Sequence, residues 1–450
     1  MPKQLGFQAS FEYALRRADA VPLRIGAKKQ ARINPCLTPA MRPVDETVRG
    51  ASSRLFLRCV KGAPLSINSW CFIKRQKLET ARNSRDVLLP IFIRVNSGGT
   101  KLSYSDLLLS IASAQWKQRD AREEITGFVD ELNQIGQGFA FNKDFVLKAC
   151  LVLCDITGIA FKVDNFNAAN MLEIERQWPE VREAVWGAVI LVDSFGYTGE
   201  TLTSTNALIP IAYYLRKLGT PATFAQSVVH AEDRTLILKW LVMSLLKRVF
   251  SGVPDNVLRP LRNTLAEHYK TGFPLTKIIE AFKGTTRTLM FSKEDIDNLF
   301  LYEYSKGYTF STLALLYPTL DFRNKFHMDH VFPKHSFTLS RLRRAQLSEA
   351  DAGFGMENYN RLANLQLLEG IPNQEKSGKD FGTWLKETYP GEIARHDFMH
   401  KHYIPDIEFS LSNFQSFIRE REILLRRAFV ELLGRADGSN KEQILEVESK

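Results

Sequence analysis

The sequence predicts an α+β protein that is predominantly α-helical. Two observations carry this. Through residues 105–320, apolar side chains recur at spacings of three and four, the period of one helix face, most clearly at 145–154, 181–192, 208–218 and 236–249. Apart from a short strand-like run at 54–60, strand signals are confined to two places. Residues 88–95 run into the glycine turn Asn96-Ser97-Gly98-Gly99-Thr100, and a C-terminal pair of short runs begins at Phe326 and Asn364. Helix starts are marked by Ser103-Tyr104-Ser105-Asp106 and Ser292-Lys293-Glu294-Asp295, where a serine hydroxyl and a carboxylate three residues on can satisfy each other's backbone donors.

A chain of 450 residues with 44% apolar content is too long for one ordinary core, so two or three domains are expected. No window approaches the ~18 consecutive apolar residues of a membrane span, and the N-terminus lacks the apolar core of a secretory signal. Five scattered cysteines form no disulfide framework, which fits a reducing cytoplasm. Cys150 and Cys154, four apart in a helical pattern, read as buried packing. The net charge of +10 is concentrated. Residues 1–90 hold 17 Lys/Arg against 6 Asp/Glu, and the rest hold 43 against 44. Bulk charge therefore does not argue for nucleic-acid binding by the C-terminal part, which must rely on local patches.

The chemistry-bearing stretch is Phe326-His327-Met328-Asp329-His330-Val331-Phe332-Pro333, followed by Asn364-Leu365-Gln366-Leu367-Leu368 and Asn373-Gln374-Glu375-Lys376. Asp329 can offer a hard anionic oxygen and Asn373 a neutral one to a magnesium-type ion. His330, neutral near pH 7, can take the proton of an attacking water. The basic stretch from Lys334 to Arg344 reads either as a phosphate-binding patch or as a solvated helix face. The loop at 250–256, with Arg259 and Arg262 after it, reads as an interhelical connection with solvated arginines. His396, His400 and His402 form a second cluster with no cysteine nearby, more in keeping with a solvated surface than with a zinc site.

As a set, Asp-His-hydrophobe-x-Pro at 329–333, Asn-Leu-x-Leu-Leu at 364–368 and Asn-x-x-Lys at 373–376 resemble the HNH, or ββα-metal, endonucleases. The resemblance implies Mg2+ (or Mn2+) on Asp329 and Asn373, with His330 as the base. It implies that Asn364 orients the imidazole through a hydrogen bond. Lys376, in the same catalytic set, either touches a phosphate or points into solvent. Upstream, the strand–turn–helix from residue 88 resembles the later part of the ParB/sulfiredoxin-like nucleotidase domain that precedes an HNH domain in GmrSD-type, modification-dependent restriction enzymes. Arg94, Asn96, Gly98 and Gly99 match the retained half of that family's nucleotide site. The Asp-Gly-Gln-Gln-Arg run expected within residues 1–88 is absent, which weakens the case for NTP as a cofactor.

The organisation implied is a basic, truncated or altered nucleotidase part at 1–87, the remainder of that domain with a helical region at 88–310, an HNH nuclease domain at 311–435 and a polar tail at 436–450. The expected function is metal-dependent endonucleolytic cleavage of foreign or modified DNA in the cytoplasm. DNA is the expected partner, no membrane is involved, and a homo-oligomer is left open. The alternative is a DNA-binding or regulatory protein whose HNH domain is uncoupled or inactive.

Overall fold

The computed structural model describes residues 104–317 and 326–434. The chain divides into two units, Met1–Ile91 and Phe92–Lys450, and every described residue belongs to the second. The strand expected at 88–95, the turn with Arg94, Asn96, Gly98 and Gly99, the region 1–87 and the tail at 436–450 lie outside the described residues.

The described part is mostly helical and opens with α1 (Tyr104–Gln115), α2 (Ala121–Asn133), α3 (Lys143–Leu153), α4 (Ala168–Ser194) and α5 (Leu208–Lys217). It continues through α6 (Ala231–Leu246), α7 (Asp255–His268), α8 (Leu275–Phe282), α9 (Lys293–Leu299) and α10 (Gly307–Leu316). The four periodic stretches fall in α3, α4, α5 and α6. Starts are set by side chains that accept orphan backbone N–H groups. Asp120 caps α2, Asn142 caps α3, and the Ser292–Asp295 capping box opens α9 as expected. Trp178 of α4 is buried between Trp116 and Phe128, and Cys150 and Cys154 are both buried.

Two polar anchors tie loops to this array. The buried carboxylate of Glu175 accepts the backbone N–H groups of Lys117, Gln118 and Arg119 at 2.6–2.9 Å. Burial alone would raise its pKa, but those three donors hold it below the ordinary carboxylate value. Arg259 and Arg262 are not free in solvent. They donate to the carbonyls of Thr157 and Ile156 at 3.2 and 2.6 Å and so pin the turn after α3.

The remaining elements are β1 (Phe326–His330), α11 (Leu339–Arg344), α12 (Glu349–Asn358), β2 (Leu365–Glu369), α13 (Gly370–Lys376), α14 (Phe381–Thr388), α15 (Glu392–Lys401) and α16 (Phe414–Gly434). The two strands pair antiparallel, with Asp329 opposite Gln366 and His330 opposite Leu365, and form the one sheet among the described residues. Alternation along β2 places the pair between two apolar clusters. Leu365 and Leu367 join the large helical core, whereas Leu368 joins a second cluster with Phe332, Phe337, Trp384 and Phe417. No described helix is long and apolar enough to cross a membrane.

Candidate active site at the strand pair

Side chains on consecutive strand residues point to opposite faces, yet Asp329 and His330 both line one cavity of about 210 Å³. The strand ends at His330, and the chain beyond it is turned by Asn364. The fully buried carboxamide of Asn364 accepts from the Phe332 N–H at 2.9 Å and donates to the carbonyls of Phe332 and Tyr359 at 3.0 and 2.7 Å. Asn364 therefore fixes the backbone after His330 and does not bond the ring.

The bond expected from Asn364 comes instead from Asn360, whose Oδ1 lies 3.1 Å from His330 Nε2. A carboxamide oxygen there requires the hydrogen on Nε2 and leaves Nδ1 with its lone pair. The Tyr304 ring packs against the imidazole at 4.6 Å, and the Tyr359 ring lies 6.3 Å away, inclined by 30°. Tyr304 reaches the site because the segment after α9 pairs with the residues before β2. Its N–H bonds the Asn360 carbonyl at 2.9 Å, and Leu362 N–H bonds the Tyr302 carbonyl at 2.8 Å. Burial holds the His330 pKa below the usual imidazole value, although Asn360 and the Asp329 charge act in the opposite direction.

Lys376 neither reaches out to a phosphate nor points into solvent. It is fully buried, and its Nζ sits 3.1 and 3.0 Å from the two Asp329 oxygens and 2.6 Å from the His330 carbonyl. Desolvation lowers its pKa, with Asp329 opposing. Gln366 Nε2 donates to Asp329 Oδ2 at 2.9 Å, and its buried Oε1 has no partner. α13 stops immediately after Lys376 at Ser377, whose φ of +44° is disfavoured for a residue with a side chain, and Ser377 lines the cavity.

Behind the strands, the buried Arg421 of α16 donates to the carbonyls of Ala363, His402 and Tyr403 at 2.9–3.2 Å. Asp329 thus faces two buried cations, Lys376 at contact and Arg421 further off. With His330 neutral, the Asp329–Lys376 pair cancels its own charge, Arg421 adds positive charge behind the strands, and exposed Lys334 adds it at the pocket rim. An anion is the natural occupant.

A divalent metal fits less well. The atoms are of the right kind, hard oxygens, but the arrangement is not. Both Asp329 oxygens are engaged by Lys376 and Gln366, and Asn373, half-buried on α13, does not line the cavity. No group of three His, Cys, Asp or Glu is placed to hold an ion among the described residues. The cation on Asp329 is the Lys376 ammonium, and a metal would have to displace it.

The three histidines at 396, 400 and 402 do not meet at one site, because His396 and His400 line a surface cavity that His402 does not reach. His396 and His400 are exposed, while His402 is buried against Phe398 and Tyr317, its pKa pushed down to about 3 by burial and the Arg421 charge. A larger cavity of about 910 Å³ lies between α15 and α16, but its wall mixes Glu392, Arg395, Glu420 and Arg427 with apolar groups and contains none of the expected site residues. No family model matches the chain, and no curated protein matches it.

Proposed function

We propose that the strand-pair pocket hydrolyses phosphodiester bonds, as an endonuclease of the HNH kind acting on DNA. The observation that carries this reading is one pocket in which a neutral, oriented imidazole stands beside a buried carboxylate–ammonium pair, with the exposed Lys334 ammonium at the rim. A phosphodiester anion is drawn into such a pocket, and water needs a base to attack it.

His330 takes the proton of the attacking water on Nδ1, with Nε2 held by Asn360. The water oxygen forms the new bond to phosphorus as the bond to the leaving oxygen breaks, and that oxygen takes a proton from solvent water. The charge that grows on the phosphoryl oxygens is stabilised by Lys334, exposed at the cavity rim, while the buried Lys376 ammonium neutralises Asp329 behind it. Asn364 holds the Val331–Phe332 turn and Tyr304 covers one side of the imidazole, so both act by positioning. The GmrSD-type class, with restriction of foreign or modified DNA in a prokaryotic cytoplasm, is the setting proposed on the sequence resemblance. Strict NTP dependence is not part of the proposal.

The second reading, nucleic-acid binding without cleavage, is favoured by one feature: the closed Asp329–Lys376 pair, which occupies the carboxylate. Incubating plasmid and modified phage DNA with the protein, with and without Mg2+ and NTP, separates the readings. Nicking in any of these conditions supports hydrolysis; retention of DNA with no nicking in all of them supports the second.

A further inference from the structure

Between His330 and Ser348 the chain carries Lys334, Arg341, Arg343 and Arg344 and not one Asp or Glu. This stands out in a region where residues 91–450 hold 43 Lys/Arg against 44 Asp/Glu. All four cations, and His335, are exposed, and none pairs with a carboxylate among the described residues. Exposed arginines with no counter-ion cost little in water, and here they are carried on a segment anchored in the core. Lys334 and His335 lie in a short 3-10 turn, Lys334–Phe337, at the pocket rim, and α11 follows after Thr338. Phe337 and Leu342 are buried in the second core. The Phe337 ring stacks on Tyr359 at 5.4 Å and 17°, and Tyr359 in turn lies 6.3 Å from the His330 ring at 30°. Gly355 of α12 lets that helix close on Phe337, since a Cβ there would come within 3.1 Å of the ring. The basic segment is therefore seated on the same aromatic stack as the proposed base.

We propose that residues 334–344 form a track that holds the phosphates next to the reacting one as a nucleic-acid strand leaves the pocket. The inference rests on the phosphodiesterase reading and extends it from the reacting phosphate to its neighbours. A four-residue 3-10 turn and a six-residue helix span at most roughly 17 Å. With one phosphate per ~3.4 Å of axis on a strand, that is about five nucleotides.

The test is the salt dependence of binding, measured by fluorescence anisotropy on uncleavable phosphorothioate duplexes of DNA and of RNA. The proteins are wild type, R341Q/R343Q/R344Q and the charge-conserving R341K/R343K/R344K. Removing three phosphate contacts should flatten the slope of log K against log salt by about 3 in the Gln variant. Between 50 and 200 mM salt, wild-type affinity should then fall about 40-fold more than that of the Gln variant. The Lys variant should keep the wild-type slope, and all three side chains are exposed, so unchanged thermal melting shows that each variant folds. A steeper wild-type slope on either duplex supports the track, and the preferred duplex identifies the polymer. Equal slopes for wild type and the Gln variant overturn it, as does a Lys variant that loses its slope. Plasmid nicking by the wild type, run in parallel, separates the failures. If nicking persists while the slopes agree, only the track is wrong; if the wild type neither nicks nor binds, both readings fall.

Discussion

The helical array of residues 104–317 and the strand-pair region of residues 326–434 treat charge in opposite ways. In the first, Glu175 is the one buried Asp, Glu, Lys, Arg or His, and its partners are backbone N–H groups that close a loop. The second is half as long and buries Asp329, His330, Lys376, His402 and Arg421. A buried ion pair is weak evidence for stability, because desolvation offsets most of the Coulombic gain. A region that buries five such groups, three of them (Asp329, His330 and Lys376) lining one cavity, is better explained by chemistry than by packing. The helical array serves as the base on which that region is mounted: through Tyr302 and Tyr304 it supplies backbone contacts and one ring of the site.

The largest expected difference follows from breaking the central pair. Lys376→Ala leaves the Asp329 carboxylate buried and unpaired and should cost about 3–5 kcal/mol in urea unfolding. Asp329→Asn combined with Lys376→Met should recover most of that loss. The same substitutions decide the metal question. Calorimetry should find Mg2+ or Mn2+ binding stronger in Lys376→Met than in wild type, because the competing ammonium is gone. Equal binding in both would show that the ion does not use Asp329.

Acid should sharpen the contrast between the regions. His402 has a folded pKa of about 3, against ~6.5 unfolded. The unfolded chain therefore binds a proton the folded one refuses, and stability present above pH ~6.5 is lost as pH falls toward 3, at up to ~1.4 kcal/mol per pH unit. His330 acts with the same sign. Hydrogen-exchange protection factors, corrected for the intrinsic pH dependence of exchange, should fall in residues 326–434 on mild acidification while those of α2 to α5 hold, and His402→Phe should reduce the pH slope.

The corresponding effect in the helical array is smaller and comes later. The Glu175 pKa is lowered, so its contribution exists above the ordinary carboxylate pKa and disappears only as pH falls through the depressed value. Glu175→Gln should cost about 1–3 kcal/mol at neutral pH, with the difference from wild type vanishing in strong acid. A constant difference down to that range would mean that its charge is not what the loop uses.

The helices were legible because their apolar spacing is a direct consequence of burying one face, and α3 to α6 follow it. The strand pair was legible from the runs around Asp329 and Asn364, since alternate residues of β2 enter two different cores. The partners of these groups were not. A lysine at a helix end reads as solvated, and only the tertiary fold folds Lys376 back onto Asp329. Asn360 lies in an irregular stretch between elements, where no period marks it. Arg421 did leave a signal: it sits on the apolar stripe of α16 with Phe414, Phe417, Ile418 and Leu425, and a charge in register with such a stripe must find buried partners. Arg259 and Arg262 taught the converse, because carbonyls of a distant loop cannot be read from local sequence.

The central claim, that His330 is the base of a phosphodiesterase pocket, is tested most directly by the pH dependence of plasmid nicking in wild type and His330→Ala. Burial lowers the His330 pKa, so the wild-type rate should rise with pH and level off with a midpoint below ~6.5. His330→Ala, still folded, should lose roughly 10²–10⁴-fold in rate, and that step in the profile should vanish. A His330→Ala protein that nicks at the parent rate with the same profile would contradict the account.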